Sequence, residues 1–318
     1  MKLKLLAILL ILTLLFSACA KEDNKGDTTT TTEKVETDEP IQEKTDFRVL
    51  LTSDIHCTFL SKWYGLTNEE RMQHWVDSVL AEHARQPFDL IIFPGDLSLD
   101  FWGTAGSYER FEKSTTLEFI EKYVSQLPAD IPKLYVPGNH EAFTNEKWKE
   151  ITGFDRQFSY LLGNNLFICL DSFGPNNQTT YTPMDVEFIK GEMEKYPDTQ
   201  VYLVAHHFDP SAETAAFKSL LQKSRRIVGM FQGHTHISDL IQLDVNFGGR
   251  VIAQSGHFSF SEASDPREDF WGFRDIVINA EGAVSSYLQV NSRADVKKVG
   301  KFMDVPAQVD HVQKYMFK

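Results

Sequence analysis

Five short apolar runs in this chain each end directly in residues that can bind a metal ion. Residues 134–136 predict a buried strand, and the Pro-Gly pair that follows ends the strand and turns the backbone. Asn139, His140 and Glu141 come next, so an amide oxygen, an imidazole and a carboxylate lie just past the carboxyl end of a strand. One such junction is a weak signal, but its repetition predicts a metal site assembled from several loops.

Two of the other junctions supply carboxylates. Residues 47–52 predict a strand that runs into Asp54 and His56, and residues two apart on an extended backbone point to the same side. These two side chains can therefore bind one ion. Residues 90–93 predict a second strand, which ends in a Pro-Gly pair followed by Asp96. The glycine of that pair lets another part of the backbone approach closely.

The last two junctions supply histidines. A strand predicted over residues 201–205 ends in His206 and His207, whose side chains point opposite ways because they are adjacent. We favour His206 as a metal ligand, with His207 as the alternative. The last strand leads to His234 and His236, and two histidines at this spacing after a strand are a moderately specific metal signal.

The N-terminus resembles the signal sequence of a bacterial lipoprotein. Lys2 and Lys4 precede an uncharged run over residues 5–16, which is shorter than the ~20 residues that a membrane span needs. The run leads to Leu-Phe-Ser-Ala-Cys, which resembles a lipobox, so residues 1–18 are expected to be removed and Cys19 to be acylated. The alternative is an ordinary signal peptide cut beside this cysteine. The first interpretation predicts an extracytoplasmic protein that a lipid on Cys19 anchors to the membrane.

The remaining chain divides into three predicted parts. Residues 19–46 are polar and cannot bury enough apolar area to fold, so we expect a disordered tether. The catalytic domain is predicted over residues 47–290, followed by a C-terminal extension over residues 291–318. Removal of residues 1–18 takes away two lysines and no acid, so the formal charge of −13 becomes −15. Because such a surface repels phosphates, no long nucleic acid is expected as a partner.

Two cysteines, Cys57 and Cys169, follow the predicted lipidation site. A disulfide between them is compatible with a location outside the cytoplasm, although the sequence does not show that they meet. We expect Cys57 to be a packed small residue rather than a thiolate ligand, because no second cysteine lies near it in the chain.

The sequence also predicts helices and further strands. Thr67 and Glu70 match a capping box that opens an amphipathic helix. A second helix is predicted over residues 108–127, with Phe111 facing the core, and a third at Thr182-Pro183, because proline suits the first helical position. Four later segments are expected to be consecutive strands of a second sheet: residues 240–243, 251–253, 273–278 and 284–290.

Taken in chain order, the five junctions resemble the motifs of the calcineurin-like metallophosphoesterase family. The matching segments are Asp54-Ile55-His56, Gly95-Asp96, Gly138-Asn139-His140-Glu141, His206 and Gly233-His234-Thr235-His236. Five matches in order are far more specific than any one of them. The resemblance implies an α/β fold, a four-layer αββα sandwich of two mixed β-sheets flanked by helices, with a dinuclear metal site on loops at the edge of the sheets.

The resemblance also implies a role for each site residue. Asp54, His56 and His236 would hold one divalent ion, Asn139, His206 and His234 would hold the other, and Asp96 would bridge both. The mixed oxygen and nitrogen ligands fit Mn, Fe or Zn better than Ca. His140 would lie beside the two metals as the catalytic proton donor, with Asp100 as a candidate for orienting it.

The implied function is hydrolysis of a small phosphate ester. Two ions ~3.5 to 4 Å apart can share a water, lower its pKa toward ~7 and direct the bridging hydroxide at phosphorus. We expect a phosphoric ester hydrolase that favours phosphodiesters over phosphomonoesters, because Gly-Asn-His-Glu with both His234 and His236 is the pattern of the family's cyclic-nucleotide phosphodiesterase branch. The alternative is a non-catalytic surface lipoprotein that binds metal or a ligand. Such a site would have no use for a proton donor such as His140.

Several other residues lie on loops near these motifs. His257 either lines the site or is a structural histidine. Aromatic side chains could present a face to a ring of the substrate, although aromatic residues at the edge of a core are the commoner outcome. These aromatic residues are Trp63, Tyr64, Trp102, Phe143 and Phe208.

Overall fold

A computed structural model describes residues 44–60, 66–103, 106–238, 240–259, 270–279, 282–292 and 315–317. They belong to one unit, Glu43–Lys318. The predicted signal peptide, Cys19 and nearly all of the predicted tether lie outside the described residues, as do Trp63, Tyr64 and most of the predicted C-terminal extension. No described helix is both long and apolar enough to cross a membrane.

The described strands form two sheets. In chain order they are β1 (Phe47–Leu51), β2 (Leu90–Pro94), β3 (Lys133–Val136), β4 (Phe158–Leu162), β5 (Asn165–Leu170), β6 (Gln200–Ala205), β7 (Ile227–Gln232), β8 (Leu240–Gln242), β9 (Val251–Gln254), β10 (Phe270–Asn279), β11 (Gly282–Ser292) and β12 (Tyr315–Phe317). The first sheet has the order β12-β11-β10-β1-β2-β3 and the second β4-β5-β6-β7-β9-β8. Both sheets are mixed, with β1, β2 and β3 parallel in the first and β5, β6, β7 and β9 parallel in the second.

Helices cover the outer face of each sheet. They are α1 (Asn68–Arg85), α2 (Ser107–Phe111), α3 (Thr115–Glu118), α4 (Asn145–Thr152), α5 (Val186–Lys195) and α6 (Ala215–Lys223). A π-helical turn, Phe119–Tyr123, and a 3₁₀ turn, Val124–Gln126, continue α3. The predicted capping box of α1 is confirmed: Thr67 accepts the backbone N–H of Glu70, and the Glu70 carboxylate accepts the backbone N–H of Thr67.

Successive side chains along the central strands point to opposite faces of a sheet, and they form three separate apolar cores. In β1, Val49 and Leu51 face the second sheet, while Leu50 packs among the residues of α1. In β6, Tyr202 belongs to the core between the sheets and Leu203 packs with the residues of α5 and α6. Successive side chains on a strand point to opposite faces, so each central strand is apolar on both sides. The predicted four-layer αββα sandwich is confirmed.

The prediction that the later strands form one sheet is wrong. β8 and β9 belong to the second sheet, but β10 and β11 extend the first, where β10 pairs with β1 in the register Phe47↔Ile278. The apolar alternation of β10 identifies its buried face. It does not identify the neighbouring strand, because both sheets contribute side chains to the same central core.

The helix predicted over residues 108–127 is broken in the structure. α2 ends at Phe111, and Glu112 then adopts a positive φ of 54°. Ser114 caps the next helix by accepting one of its backbone N–H groups at 3.0 Å. Phe111 is therefore 51% exposed instead of facing the core. The break is fixed by Asp100, a buried acid outside the helix whose carboxylate accepts hydrogen bonds from residues on both sides of it.

The predicted start of the third helix is also wrong. The helix α5 begins at Val186 rather than at Thr182-Pro183. The Asp185 side chain caps it by accepting the N–H of Phe188 at 3.0 Å. The first backbone N–H groups of a helix have no partner within the helix, and a capping side chain accepts one of them, which a proline cannot do. The cap at Asp185 therefore sets the first residue of this helix. Four elements, β4, β12, α4 and α6, were not predicted from the sequence.

Cys57 and Cys169 are both buried, and neither forms a disulfide. Cys57 packs in the core beneath α1, and Cys169 packs in the core between the sheets. Burial raises the pKa of the Cys57 thiol to about 12, which opposes a thiolate ligand. Its sulfur accepts a hydrogen bond from Asn68 Nδ2 at 3.5 Å. The expectation that Cys57 is a packed small residue is confirmed.

Candidate metal centre

The candidate ligands lie on five loops that follow β1, β2, β3, β6 and β7. All five strands end at the same edge of the sandwich, as contacts between their loops show. Asp54 N–H donates to Gly95 O at 3.2 Å, and Gly233 N–H donates to His206 O at 3.0 Å. The folding of the two sheets therefore places side chains that are up to 182 residues apart in the chain within one cluster.

Five of these residues have a backbone that non-glycine residues rarely adopt. Of the seven described non-glycine residues with positive φ, five are candidate ligands: Asp54, His56, Asp96, His234 and His236. A left-handed conformation costs free energy at each such residue, and it persists only where surrounding contacts hold it. The loops therefore bend each side chain toward the centre at the expense of local backbone energy.

Three glycines leave room for the ligands of neighbouring loops. A Cβ atom on Gly95 would lie closer than 3.0 Å to the ring of His206, and one on Gly138 would collide with the carboxylate of Asp96. A Cβ atom on Gly233 would collide with the carboxylate of Asp54. The Gly-Asp, Gly-Asn and Gly-His pairs of the sequence therefore combine a ligand with the space for another ligand.

One group of possible ligands consists of Asp54, His56 and His236, whose donor atoms lie within 4.8 Å of one another. The Nε2 atom of His236 is 3.4 Å from Oδ1 of Asp54. The rings of His56 and His236 meet edge to face at 5.0 Å between centroids. An oxygen and two imidazoles converging at this distance fit a divalent metal ion.

A second group consists of Asp96, His206 and His234, to which Asn139 adds an amide oxygen. Asn139 Oδ1 lies 3.1 Å from both His206 Nε2 and His234 Nδ1. The Nδ1 atom of His206 lies 2.8 Å from the carbonyl oxygen of Pro94, so it donates there and leaves the Nε2 lone pair facing the centre. When His206 is neutral, its Nε2 lone pair faces the Asn139 oxygen, and a cation between them would satisfy both.

The charges of the site depend on one another. Burial alone lowers the pKa of His206, but the Asp96 carboxylate outweighs burial and raises it to about 9. Burial would raise the pKa of Asp96, but His206 and His140 hold it well below its usual range. Burial lowers the pKa of His56 to about 4, and burial with the charge of His206 lowers the pKa of His234 to about 3. In the metal-free protein His206 and Asp96 therefore form an ion pair beside neutral histidines.

His140 lies at the mouth of the centre. Its Nε2 atom is 3.7 Å from Oδ2 of Asp96, and it forms a third convergent group with Asp96 and His56. The Nδ1 atom of His140 is buried and has no hydrogen-bond partner among the described residues. The suggestion that Asp100 orients His140 is wrong, because the Asp100 carboxylate accepts from Ser107 and from residues 114–116 instead.

His207 lies outside the three convergent groups. Its ring packs against His234 at 4.4 Å between centroids and against Tyr181 at 5.6 Å. The rings of His206 and His207 both contact that of His234, His206 at 5.0 Å between centroids, but only His206 belongs to a convergent group. His257 is buried and its ring stacks on His236 at 5.0 Å, so it contacts a candidate ligand without facing solvent.

Glu141 joins two ligand loops, a role that the sequence analysis missed. Its buried carboxylate accepts the backbone N–H groups of Asp96 at 2.8 Å, Gly138 at 2.9 Å and Ser98 at 3.0 Å. Burial and the charge of Asp96 raise the pKa of Glu141 to about 8. The carboxyl group thus holds the loops after β2 and β3 together. Its place next to His140 in the motif was the available signal.

Two buried arginines also support the loops and were not predicted. Arg71 of α1 donates to the carbonyl oxygens of His56 at 2.6 Å and Phe258 at 2.8 Å. Arg156 donates to the carbonyl oxygen of Glu141 at 3.0 Å and to the carboxylate of Asp171 at 2.5 Å. No local pattern marks either arginine, since these partners lie 15 or more residues away in the chain.

Comparison with known proteins identifies the family. The model of calcineurin-like phosphoesterases matches residues 47–238, and the chain belongs to that family. The later strands β8 to β12 lie beyond the matched range, and they complete both sheets. The family and the His and Asp groups fit a divalent metal site in a metal-dependent phosphoesterase.

Solved structures show the same fold at low sequence identity. A dimetal phosphatase from Danio rerio superposes with a TM-score of 0.58 and 12% identity, covering 79% of this chain and 97% of its own. A structure of PhoD superposes with a TM-score of 0.50 and 10% identity, covering 80% of this chain and 68% of its own. No curated protein matches the sequence.

Proposed function

We propose that this protein hydrolyses small phosphate esters at a dinuclear metal site. The observation that carries the proposal is the position of one carboxylate oxygen. Oδ2 of Asp96 lies 3.3 Å from Nε2 of His56 and 3.3 Å from Nε2 of His206, which belong to different ligand groups. An oxygen between two groups of ligands suits a bridge between two ions.

The residues divide between the ions as follows. Asp54, His56 and His236 would hold one ion, Asn139, His206 and His234 would hold the other, and Asp96 lies within reach of both groups. Bound divalent ions would supply an activated water and neutralise the charge of the phosphate. The chain contributes the rest: Glu141 positions the loops of Asp96 and Asn139, and the backbone carbonyl of Pro94 orients the His206 ring.

His140 is the proton donor of this proposal. Its Nε2 atom faces the centre beside Asp96, and its side chain is 14% exposed, so it can meet both a bound ester and solvent. A leaving alkoxide is strongly basic, so a proton from an imidazole at hydrogen-bond distance lowers the barrier to its departure. Between the two ester classes we favour phosphodiesters, on the strength of the Gly-Asn-His-Glu motif together with His234 and His236.

The test is metal-dependent turnover of matched substrates. Metal-free protein is loaded separately with Mn, Fe or Zn and given an aryl phosphodiester and the corresponding aryl phosphomonoester. The proposal expects turnover that requires metal, with the diester preferred. A monoester preference would redirect the assignment to phosphomonoesterases. Metal binding without turnover of either ester would favour the alternative, a non-catalytic metal-binding lipoprotein.

For location, we infer an extracytoplasmic protein anchored by lipid on Cys19, because the lipobox resemblance precedes a polar tether. A Cys19→Ala variant is expected to leave the membrane fraction and appear in the soluble extracytoplasmic fraction. Ser17→Ala is the matched control and should stay with the membrane. Retention of Cys19→Ala in the membrane fraction would contradict the lipid anchor.

A further inference from the structure

A tryptophan beside His140 is held in an exposed position. The ring of Trp102 meets the ring of His140 edge to face, with 6.2 Å between centroids and 81° between planes. The residue is 42% exposed. An exposed aromatic ring in contact with a candidate catalytic side chain can also contact a ligand bound there.

The residues before Trp102 are both anchored. The buried carboxylate of Asp100 accepts hydrogen bonds from Ser107 Oγ at 2.5 Å and from the backbone N–H of Thr115 at 2.7 Å. Phe101 donates its backbone N–H to the carbonyl oxygen of His140 at 3.2 Å, and its ring packs edge to face on Phe143 at 4.8 Å. Because Asp100 and Phe101 turn inward and are fixed there, the loop presents Trp102 outward at a defined distance from His140.

Other exposed aromatic rings follow the same two strands, β1 and β2, in the chain. Among the described residues, the exposed large apolar side chains are Phe59, Trp102, Phe111, Leu161 and Val245. Phe59 lies three residues after His56, and its ring meets that of Phe111 edge to face at 5.2 Å. Three of the five exposed side chains are therefore aromatic and lie on the loops and the short helix that follow β1 and β2. Phe143 and Phe208, which the sequence also suggested, are buried and do not contribute.

We propose that Trp102 forms a subsite for a planar aromatic ring carried by the leaving group of the substrate. The inference rests on the proposed function, since His140 marks the leaving-group side of the phosphate. A leaving-group oxygen within hydrogen-bond reach of His140 brings the group attached to it into range of the Trp102 ring. An aromatic ring stacked there replaces water on an apolar face, which selects aryl or nucleoside esters over small alkyl esters.

The test compares binding of two non-hydrolysable phosphonates to the metal-loaded, full-length protein. One carries a naphthyl ring and the other only a methyl group. The wild type is expected to bind the naphthyl compound more tightly, and Trp102→Ala should weaken that binding about tenfold, the size expected for loss of one stacked ring, while the affinity for methylphosphonate stays unchanged. Trp102→Phe should retain most of the preference. Leu161→Ala, which removes an equally exposed side chain on β4, is the control and should change neither affinity.

Any other result of the phosphonate-binding test would count against the Trp102 subsite. Equal affinity of the wild type for both compounds, or equal weakening of both by Trp102→Ala, would overturn the subsite. Binding of neither compound would overturn it as well. Turnover of phenyl phosphate esters on the same wild-type preparation separates the two proposals. A naphthyl preference without turnover would keep aromatic-ring binding at Trp102 but refute the hydrolase and the leaving-group role of the subsite. Turnover without the preference would keep the hydrolase and overturn the subsite.

Discussion

The Nε2 atom of His206 lies 3.2 Å from the Nδ1 atom of His234, and the amide oxygen of Asn139 lies 3.1 Å from each nitrogen. Since the other ring nitrogen of His206 donates to the Pro94 carbonyl, three lone pairs converge at one point unless a proton or a cation lies between them. A proton on His206 fulfils this in the metal-free protein, and a metal ion would replace it.

Metal affinity should therefore depend on pH. The pKa of His206 is about 9 in the metal-free protein, so this ring carries a proton at neutral pH that must leave when a metal binds. The apparent affinity for the metal should therefore rise about tenfold per pH unit up to pH ~9 and then level off. His56 and His234, with pKa values of about 4 and 3, are already neutral and release no proton in this range. Calorimetric titration with Mn²⁺ at pH 6.5, 7.5 and 8.5, in buffers of different ionisation enthalpy, measures both the affinity and the proton count. A constant affinity with no proton release would contradict the ion pair.

Gly138→Ala should disrupt the centre, because its Cβ would collide with the carboxylate of Asp96. We expect loss of metal binding and a lower free energy of unfolding, by ~1–3 kcal/mol, as for other overpacked sites. Gly191→Ala in α5 is the control. Its Cβ would meet nothing within 4 Å, so it should stabilise the helix by up to ~1 kcal/mol and leave metal content unchanged. Metal content by elemental analysis and chemical denaturation report the two effects. Full metal content in Gly138→Ala would contradict the packing account.

Glu141→Gln should weaken the centre without touching a ligand. The glutamine oxygen can still accept from Asp96 and Gly138, but its NH₂ group then faces the backbone N–H of Ser98. Above pH ~8, where the wild-type Glu141 is ionised and accepts all three N–H groups, two donors facing each other in a buried place cost the variant ~1–3 kcal/mol. We expect a lower free energy of unfolding together with weaker metal affinity, because the loop that carries Asp96 loses support. The exposed Glu187 provides a control, and Glu187→Gln should change stability by less than ~0.5 kcal/mol. Unchanged metal affinity in Glu141→Gln would assign the carboxylate a purely local structural role.

The sequence predicted the candidate ligands because each is a local signal. Asp54, Asp96, Asn139, His206 and His234 all stand at or just after the end of an apolar run, and that run becomes a strand ending at the common edge. Such a junction needs no knowledge of distant contacts. The resemblance to a family then identified which junctions belong together, and the family model confirms that membership. The metal-ligand roles themselves stay predictions.

The supporting residues were not predictable in the same way. Arg71 contacts the carbonyl of Phe258, which is 187 residues away in the chain, and no periodicity indicates such a contact. The break between α2 and α3 depends on the buried Asp100, which lies outside the apolar pattern that predicted one long helix. Pairing of β10 with β1 likewise depends on a contact between distant segments. Local patterns therefore located the ligands, and long-range hydrogen bonds decided how the loops are held.

The most direct test of the central claim is the His140→Ala variant, measured for metal content and for turnover of aryl phosphodiesters whose leaving groups differ in basicity. If His140 donates a proton, metal content stays at the wild-type level and turnover of a phenyl ester falls by about 10² to 10⁴. The loss should be much smaller for a dinitrophenyl ester, because that leaving group departs without a proton. Loss of metal together with turnover would make His140 a ligand, and an equal loss for both esters would contradict its role as proton donor.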